Sequence, residues 1–219
     1  HLCAAAVARR VPVAQAVLSD SAWRNPVRRD LARHAARVVL LPDALFGEIS
    51  TLESPADIGF VLALPVAPQP DATLDAVVLD RVQDAGNVGS ILRSAAALGV
   101  PQVLAVKGTA ALWSPKVLRA GMGAHFGLRL VEGVEADALA ALRVPLLATS
   151  SHAARSLHEV DLPWPCAWVM GHEGQGVSPV LEQRCAMTLR IPQPGGEESL
   201  NVAAAAAVCL YESARQRVA

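Results

Sequence analysis

Three short segments of the chain mix glycines with a few polar side chains in otherwise apolar surroundings. They are Asn87-Val88-Gly89 with Arg93, Gly171-His172-Glu173-Gly174-Gln175-Gly176, and Ser199-Leu200-Asn201. Each is predicted to be a loop between a strand and a helix, where backbone N–H groups can bind an anion and glycine lets a ligand come close. Loops at strand ends form the ligand sites of open α/β sheets, so we expect all three to meet in one site.

The first segment carries the clearest polar chemistry. Asn87 occupies the expected N-cap of a helix, and Gly89 would let another chain or a substrate approach closely. Arg93 lies inside an otherwise apolar helix, where a guanidinium requires a carboxylate or phosphate partner. A capped helix with a structural ion pair explains the same residues equally well.

The other two segments are less specific when each is taken alone. The glycine order of the second is not that of a dinucleotide-binding loop, and the segment has no P-loop lysine. Glu173, a carboxylate between glycines, has either a role in the site or a role in capping a nearby helix. Ser199 or Asn201 would cap the final helix, but two polar groups just after Gly195-Gly196 exceed what capping requires.

Alternating strands and helices are predicted to position these segments. Candidate strands cover residues 75–79, 102–106, 128–131, 145–149, 167–170 and 188–191. Candidate helices cover residues 88–98, 115–122, 136–142, 179–183 and 200–217. Short apolar strands that alternate with helices indicate a mostly parallel sheet covered on both faces. The predicted fold class is therefore α/β.

A smaller α/β block precedes this sheet. Its candidate helices cover residues 2–10, 26–36 and 44–50, and its candidate strands cover residues 13–18, 38–41 and 59–64. Residues 65–71 contain three prolines and indicate a stiff, extended spacer. We therefore expect two domains, residues 1–66 and residues 72–219. Because the chain starts at His1 without methionine, we expect the first domain to be truncated.

Composition excludes several classes of protein. The longest apolar run, residues 202–210, is too short to cross a bilayer, and we recognise no signal peptide. The four cysteines are scattered, which favours free thiols over disulfides or a metal site and predicts a reducing, cytoplasmic location.

The net charge of −1 does not indicate a nucleic-acid-binding protein, but the distribution of arginines is uneven. Seven arginines lie in the first forty residues, and several are spaced by four: Arg24 and Arg28, then Arg29, Arg33 and Arg37. On a helix they would form stripes that could contact RNA phosphates. An ordinary solvated helix face explains the same spacing.

Taken together, the three segments resemble the motifs of the SpoU/TrmH branch of the SPOUT methyltransferases, which methylate the ribose 2′-hydroxyl of RNA. The first motif is similar to Asp84-x-Gly86-Asn87-Val88-Gly89-x-x-x-Arg93. The second is similar to Met170-Gly171-x-Glu173-Gly174-x-Gly176, and the third to Ile191-Pro192 with Ser199-Leu200-Asn201-Val202. The resemblance covers about residues 75 to 217, and the order of the three motifs makes it specific. Residues 1–66 resemble the small ribosomal-protein-like substrate-binding domain of such enzymes.

The resemblance implies properties that composition does not show. It implies a C-terminal trefoil knot, a homodimer formed through the knotted domain with the site near its interface, and S-adenosylmethionine as methyl donor. No metal is implied. The substrate would be ribosomal RNA or, as a second choice, transfer RNA. The alternatives are an RNA-binding dimer of the same fold without activity and an RNA base methyltransferase.

The resemblance also implies roles for individual residues. Carried over by motif position, the catalytic residues are Arg93, Glu173, Ser199 and Asn201, with Asn87 in support. The donor-binding residues are Gly171, Ile191 and Leu200, with Thr149 and Gly176 as additional lining. Arg24, Arg28, Arg29 and Arg33 would contact RNA.

The chain departs from the family pattern at three positions. Ala85 replaces a common proline, His172 a frequent asparagine, and Gly121 a usual serine. These positions are not among the expected site residues, so they bear on loop shape and RNA contacts. The family's usual base is the arginine at Arg93, yet a guanidinium stays protonated in water. We therefore expect Arg93 chiefly to hold a substrate phosphate or the 2′-oxygen, with the role of base left open.

Overall fold

The computed structural model describes residues 1–49, 57–195 and 199–218. The chain divides into two compact units, His1–Val66 and Ala67–Ala219. The proline-containing segment at residues 65–70 lies where the first unit ends and the second begins.

In its described residues, 1–49 and 57–66, the first unit contains a three-stranded sheet and four short helices. Its elements are α1 (Leu2–Ala8), β1 (Gln15–Ser19), α2 (Asp20–Arg24), α3 (Pro26–Ala32), β2 (Val38–Leu41), α4 (Asp43–Ile49) and β3 (Ile58–Val61). The strand order is β2-β1-β3, with β2 parallel and β3 antiparallel to β1. Residue 50, which we predicted as the end of a helix, lies outside the described residues.

The arginine-rich helix of this unit differs from the predicted one. Asn25 interrupts the helical path: its side chain accepts hydrogen bonds from the N–H groups of Val27 and Arg28, and Pro26 then starts α3. The preceding residues form the separate helix α2, which the sequence analysis did not predict. Since α3 ends at Ala32 rather than at residue 36, the predicted helical stripes that run from Arg24 to Arg37 are wrong.

The second unit is built on a six-stranded parallel sheet. Its strands are β4 (Ala76–Asp80), β5 (Gln102–Val106), β6 (Arg129–Val134), β7 (Leu146–Thr149), β8 (Ala167–Gly171) and β9 (Cys185–Leu189). Its helices are α5 (Ala85–Ala97), α6 (Pro115–Gly121), α7 (Pro179–Glu182) and α8 (Val202–Val218). The strand order is β6-β5-β4-β8-β7-β9, and each neighbouring pair is parallel. The predicted helix at 136–142 is instead a 3₁₀ turn, Ala136–Ala141.

Both faces of this sheet are covered, as the apolar strands predicted. All residues of β4 and β5 are buried. One face packs against α5, α6 and α8, and the other against α7 and the 3₁₀ turn. The α/β class with a parallel sheet is confirmed. The four cysteines are free, and no helix in the described part of the chain is long and apolar enough to span a membrane.

Two packing features fix the elements that carry the predicted site. A Cβ atom at Gly89 would overlap Ala120, so this glycine lets α5 pack tightly on α6 of the same chain rather than on a substrate. At the other end of the sheet, the buried carboxylate of Asp75 accepts hydrogen bonds from the Cys166 N–H at 2.7 Å and from Arg217 at 2.9 Å. Since Arg217 lies in the last turn of α8, these bonds hold the end of α8 against the sheet.

Candidate functional site

A cavity of about 660 Å³ is lined by residues at the carboxyl ends of β7 and β8 and by the segments that follow β8 and β9. This volume lies within the range of about 300 to 1,000 Å³ that is usual for small-molecule sites. Eight of the ten residues predicted to be catalytic or donor-binding line it: Thr149, Gly171, Glu173, Gly176, Ile191, Ser199, Leu200 and Asn201. Asn87 and Arg93 do not.

The glycine loop, residues 171–178, forms one wall of the cavity and requires glycine at positions 171 and 176. A Cβ atom at Gly171 would overlap the backbone of Gly176 and Val177, and Gly176 has φ +67°. Two backbone hydrogen bonds between His172 and Gly176, at 2.8 and 3.0 Å, close the loop. The side chain of His172 accepts the Gly174 N–H at 3.0 Å, so histidine supplies an acceptor here just as asparagine could. Bare backbone therefore faces the cavity at Gly171 and Gly176.

Glu173 binds the loop that follows β4. Its carboxylate accepts hydrogen bonds from the backbone N–H groups of Gln83 and Asp84, at 3.2 and 3.1 Å, and from Asn87 at 3.1 Å. Burial opposes ionisation, but these hydrogen bonds outweigh it and hold the pKa of Glu173 below its ordinary value. These contacts fix the loop between β4 and α5 in place.

Asn87 joins this carboxylate to the third loop. Asn201 caps α8, because its Oδ1 accepts the N–H groups of Ala203 and Ala204 at 2.9 and 3.2 Å. The Nδ2 of Asn201 then donates to Asn87 Oδ1 at 2.9 Å, and Asn87 Nδ2 donates to Glu173. The orientation of both amides follows from the backbone donors at Asn201. One chain of hydrogen bonds, Glu173–Asn87–Asn201, thus brings the three loops together.

The N-cap assignment for Asn87 is wrong. Asp84 is the N-cap of α5, and its side chain accepts the Asn87 N–H at 2.7 Å. Asp84 and Asn87 are both capping residue types, three positions apart. The helix begins at the earlier one, which leaves the Asn87 side chain free to bond Glu173 and Asn201.

Arg93 lies on a different surface from Asn87. It belongs to an exposed stripe of α5 that also contains Gly86, Ser90 and Ala97. It follows Asn87 by six residues, a rise of about 9 Å along the helix axis, and it does not line the cavity. The structure therefore does not place this arginine among the cavity residues of its own chain.

Comparison with known proteins agrees with the motifs on these loops. The sequence model of the SpoU rRNA Methylase family matches residues 76–211, which include all three loops. The chain belongs to this family. It is 40% identical over 151 residues to the 23S rRNA (guanosine-2′-O-)-methyltransferase RlmB of Bordetella pertussis, an alignment that covers 64% of this chain and 59% of that protein. The chain thus aligns with about six tenths of the length of that SpoU relative.

Two further comparisons cover more of the chain. It is 30% identical over 212 residues to the 23S rRNA (uridine(2479)-2′-O)-methyltransferase of Streptomyces viridochromogenes, over 90% of this chain and 73% of that protein. A crystal structure of the SpoU methyltransferase AviRb from that organism, in complex with AdoMet, is similar with a TM-score of 0.85 and 28% identity. The similarity covers 99% of this chain and 87% of that one.

The arginines proposed for RNA contact lie in the first unit and differ in their surroundings. Arg28 forms an ion pair with Asp57, so its charge is already balanced. Arg29 is in the last turn of α3 and partly buried, whereas Arg24 and Arg33 are exposed. Of the four, Arg24 and Arg33 are therefore the most accessible to an anion.

Several residues around this SpoU site were not predicted from the sequence. Glu182 and Gln193 line the cavity, and Arg81 contacts the glycine loop from outside. Glu182 lies on a helix of four residues, too short to give a periodic signal. Within residues 1–49, 57–195 and 199–218, no group of three or more His, Cys, Asp or Glu side chains is placed to hold a metal ion.

Proposed function

We propose that this chain is an RNA 2′-O-methyltransferase that uses S-adenosylmethionine as methyl donor. The observation that carries the proposal is the hydrogen-bond chain Glu173–Asn87–Asn201, which joins all three family motifs at one cavity. The SpoU relatives described above are named as 2′-O-methyltransferases of 23S rRNA, and one solved relative holds AdoMet.

The cavity fits such a donor in shape and charge. Gly171 and Gly176 offer bare backbone, and Ile191 and Leu200 offer apolar surface. The described lining contains the carboxylates of Glu173 and Glu182 but no lysine or arginine, a charge distribution that favours a cationic ligand. When bound, the donor supplies a methyl group on a positively charged sulfur. We assign its binding to Gly171, Ile191 and Leu200, with Thr149 and Gly176 as further lining.

The remaining residues act on the RNA. Ser199 and Asn201 lie beside the cavity and orient the ribose 2′-hydroxyl, while Glu173 and Asn87 keep the loops in place. Alignment of reacting groups can lower a barrier by several kcal/mol without any acid or base. Arg93 binds a phosphate or the 2′-oxygen through the donors of its forked guanidinium group.

We assign 23S rRNA as the substrate because the relatives described here are named for it, with transfer RNA as the second choice. A solved structure described as concerning 2-OH methylation on tRNA is similar, with 29% identity and a TM-score of 0.60, over 68% of this chain. Arg24 and Arg33 of the first unit would contact the RNA phosphates.

We further propose a homodimer through the second unit, with the trefoil knot of the family. Arg93 is exposed and lies outside its own cavity, so a second copy is the natural source of the arginine at each site. The exposed side of α8 carries Val208 and Tyr211, which are 40% and 61% exposed and offer apolar surface for that contact.

The experiment that tests the function measures methyl transfer and its position. The protein is incubated with tritiated S-adenosylmethionine and, separately, with transcripts of 23S rRNA and of tRNA, and the RNA is digested to nucleosides for mass analysis. A 2′-O-methyl nucleoside from 23S rRNA supports the proposal, and Ser199→Ala should lower its yield. A base-methylated nucleoside would instead make the chain a base methyltransferase. Donor binding without transfer to either RNA would favour the inactive RNA-binding dimer.

A further inference from the structure

Arg81 directly follows β4 in a backbone conformation that arginine rarely adopts. Its φ is +62°, in the left-handed region that disfavours residues with a Cβ atom. Such conformations persist where surrounding contacts determine them, and they are common at functional sites. Here the Arg81 N–H donates to Thr109 Oγ1 at 3.2 Å, and the Thr109 hydroxyl donates to the Leu79 carbonyl at 2.9 Å. The turn is therefore held in place by the start of the loop that follows β5.

The turn directs the Arg81 side chain toward the glycine loop. Its Nη1 donates to Gln175 Oε1 at 2.9 Å, and its Nε donates to Asp80 Oδ1 at 3.1 Å. Asp80 is 1% exposed, and its other carboxylate oxygen accepts the Ser178 N–H at 2.6 Å. The glycine loop is thus held at its middle by Arg81 and at its far end by Asp80.

Arg81 does not line the cavity, whereas Gln175 and Gly176 do. We propose that Arg81 is a positioning residue, which acts through Gln175 to hold the glycine loop in the form that accepts the methyl donor. The proposal rests on the proposed function only in its choice of ligand. The energetic cost of the unusual backbone at Arg81 is offset by its bonds to Gln175 and Asp80. These bonds add to those that already order the glycine loop, between His172 and Gly176 and from Glu173 to the loop that follows β4.

Arg81→Gly separates this role from a structural one. Glycine adopts the left-handed conformation without a steric penalty, while the unfolded chain gains freedom, and these two effects are of similar size. What remains is the loss of the bonds to Asp80 and Gln175, so the melting temperature should fall by no more than about 8 °C and unfolding should stay cooperative. The dissociation constants of both S-adenosylmethionine and S-adenosylhomocysteine, measured by calorimetry, should rise by about tenfold, the usual effect of losing one charge-assisted hydrogen bond.

A double-mutant cycle tests whether the effect passes through Gln175. Arg81→Gly should weaken donor binding strongly in the native background and by less than about twofold in a Gln175→Ala background, since the partner is then already absent. Equal losses in both backgrounds, or no loss in the native background, would overturn the proposal. Arg143→Ala is the matched control, because Arg143 is an exposed arginine of the same unit that lies outside the cavity.

Hydrogen exchange tests the same proposal without any ligand. In Arg81→Gly the Gly176 amide should exchange at least about fivefold faster than in the native protein, while amides in β5 keep their protection. An unchanged rate at Gly176 would show that Arg81 does not order the loop. Should the native protein fail to bind either adenosyl compound, the proposed donor would be wrong, yet this exchange measurement would still decide the role of Arg81.

Discussion

Glu173 holds the three loops together, so its substitution should affect both stability and activity. In Glu173→Gln, the side-chain amide keeps one acceptor oxygen but turns its NH₂ group toward backbone donors, so one of the bonds to Gln83 or Asp84 is lost. We expect a loss of about 1 kcal/mol in the free energy of unfolding, because hydrogen bonds to this exposed carboxylate are partly screened by water. Calorimetric melting at pH 7 measures it.

The pH dependence of that loss identifies its cause. Because the folded-state pKa of Glu173 is lowered, its contribution is present above the unfolded value of about 4.3 and is lost as the pH falls through the folded value. The melting temperatures of native protein and Glu173→Gln should therefore converge as the pH falls below the folded-state pKa. Glu135→Gln, in a surface pair with Lys107, should change little at either pH. A gap that stays constant with pH would contradict the role of the charge.

For individual residues, the sequence predicted which ones line the site better than it predicted their hydrogen-bond partners. Residue types and their order identified Glu173 and Asn201, but nothing local shows that Asn87 lies between them, because that contact spans 114 residues. The structure explains why position 121 has glycine instead of the serine that is usual in the family. A Cβ atom there would overlap the ring of His125, so serine would not fit beside that histidine.

Among elements, α2 and α3 determine which of the arginines proposed for RNA contact are exposed. Reversing the charge at the exposed Arg24 and Arg33 should weaken binding to a 23S rRNA transcript, since each phosphate contact releases counterions. The slope of log K against log salt should decrease in magnitude by about 1 to 2, because single-strand contacts contribute about 0.7 each. Filter binding at several salt concentrations measures both quantities.

Arg28→Ala is the matched control within α3, compared with Arg24→Ala and Arg33→Ala taken singly. Arg28 is paired with Asp57, so its removal should change the salt slope less than removal of Arg24 or of Arg33. Donor affinity should be unchanged in every variant, because these arginines belong to the first unit. A larger change of the salt slope in Arg28→Ala would indicate that the RNA contacts the side of α3 that carries Arg28. Equal RNA binding by all variants would show that these arginines form an ordinary solvated surface and do not contact the RNA.

Periodicity predicted most elements of the second unit. In both units it failed where other contacts compete with helix formation. Asn25 accepts two backbone N–H groups and thereby separates α2 from α3, an effect that a stripe of arginines spaced by four does not reveal. Residues 136–141 have a helical apolar pattern, yet they form only a 3₁₀ turn with Leu139 buried. Short segments gain little from helix propensity, and packing on the sheet decides their form.

In the molecule as a whole, the sequence predicted a parallel sheet but not its strand order. β8 lies between β4 and β7, although β7 comes first in the chain. Most of the strands are short apolar runs, and only β6 also carries exposed charged residues, so alternation and length do not show which strands are neighbours. The segment after β7 contacts both later parts of the chain: Leu157 N–H donates to the Arg190 carbonyl at 2.8 Å, and the Gln216 side chain donates to the Val160 carbonyl at 3.0 Å. The knot itself stays a prediction, which this double contact supports.

The position of Arg93 leads to a prediction for the assembled protein. In a homodimer whose sites take Arg93 from the partner, Arg93→Ala and Ser199→Ala should each be nearly inactive alone. Co-expressed in equal amounts, they form heterodimers with one site that has both residues, so activity should return to about a quarter of the native value. Two affinity tags allow the heterodimer to be isolated, and its activity should be about half of native.

This result discriminates between the two possible sources of the arginine. If Arg93 served the cavity of its own chain, neither site of the heterodimer would contain both residues, and mixing would restore nothing. Sedimentation of the native protein gives the independent measurement, because a monomer at assay concentration would exclude exchange between sites.

Charge introduced by Tyr211→Glu should favour the monomer and lower methyl transfer, while the donor cavity, which Tyr211 does not line, keeps its affinity. Loss of activity without dissociation would instead assign α8 to RNA contact.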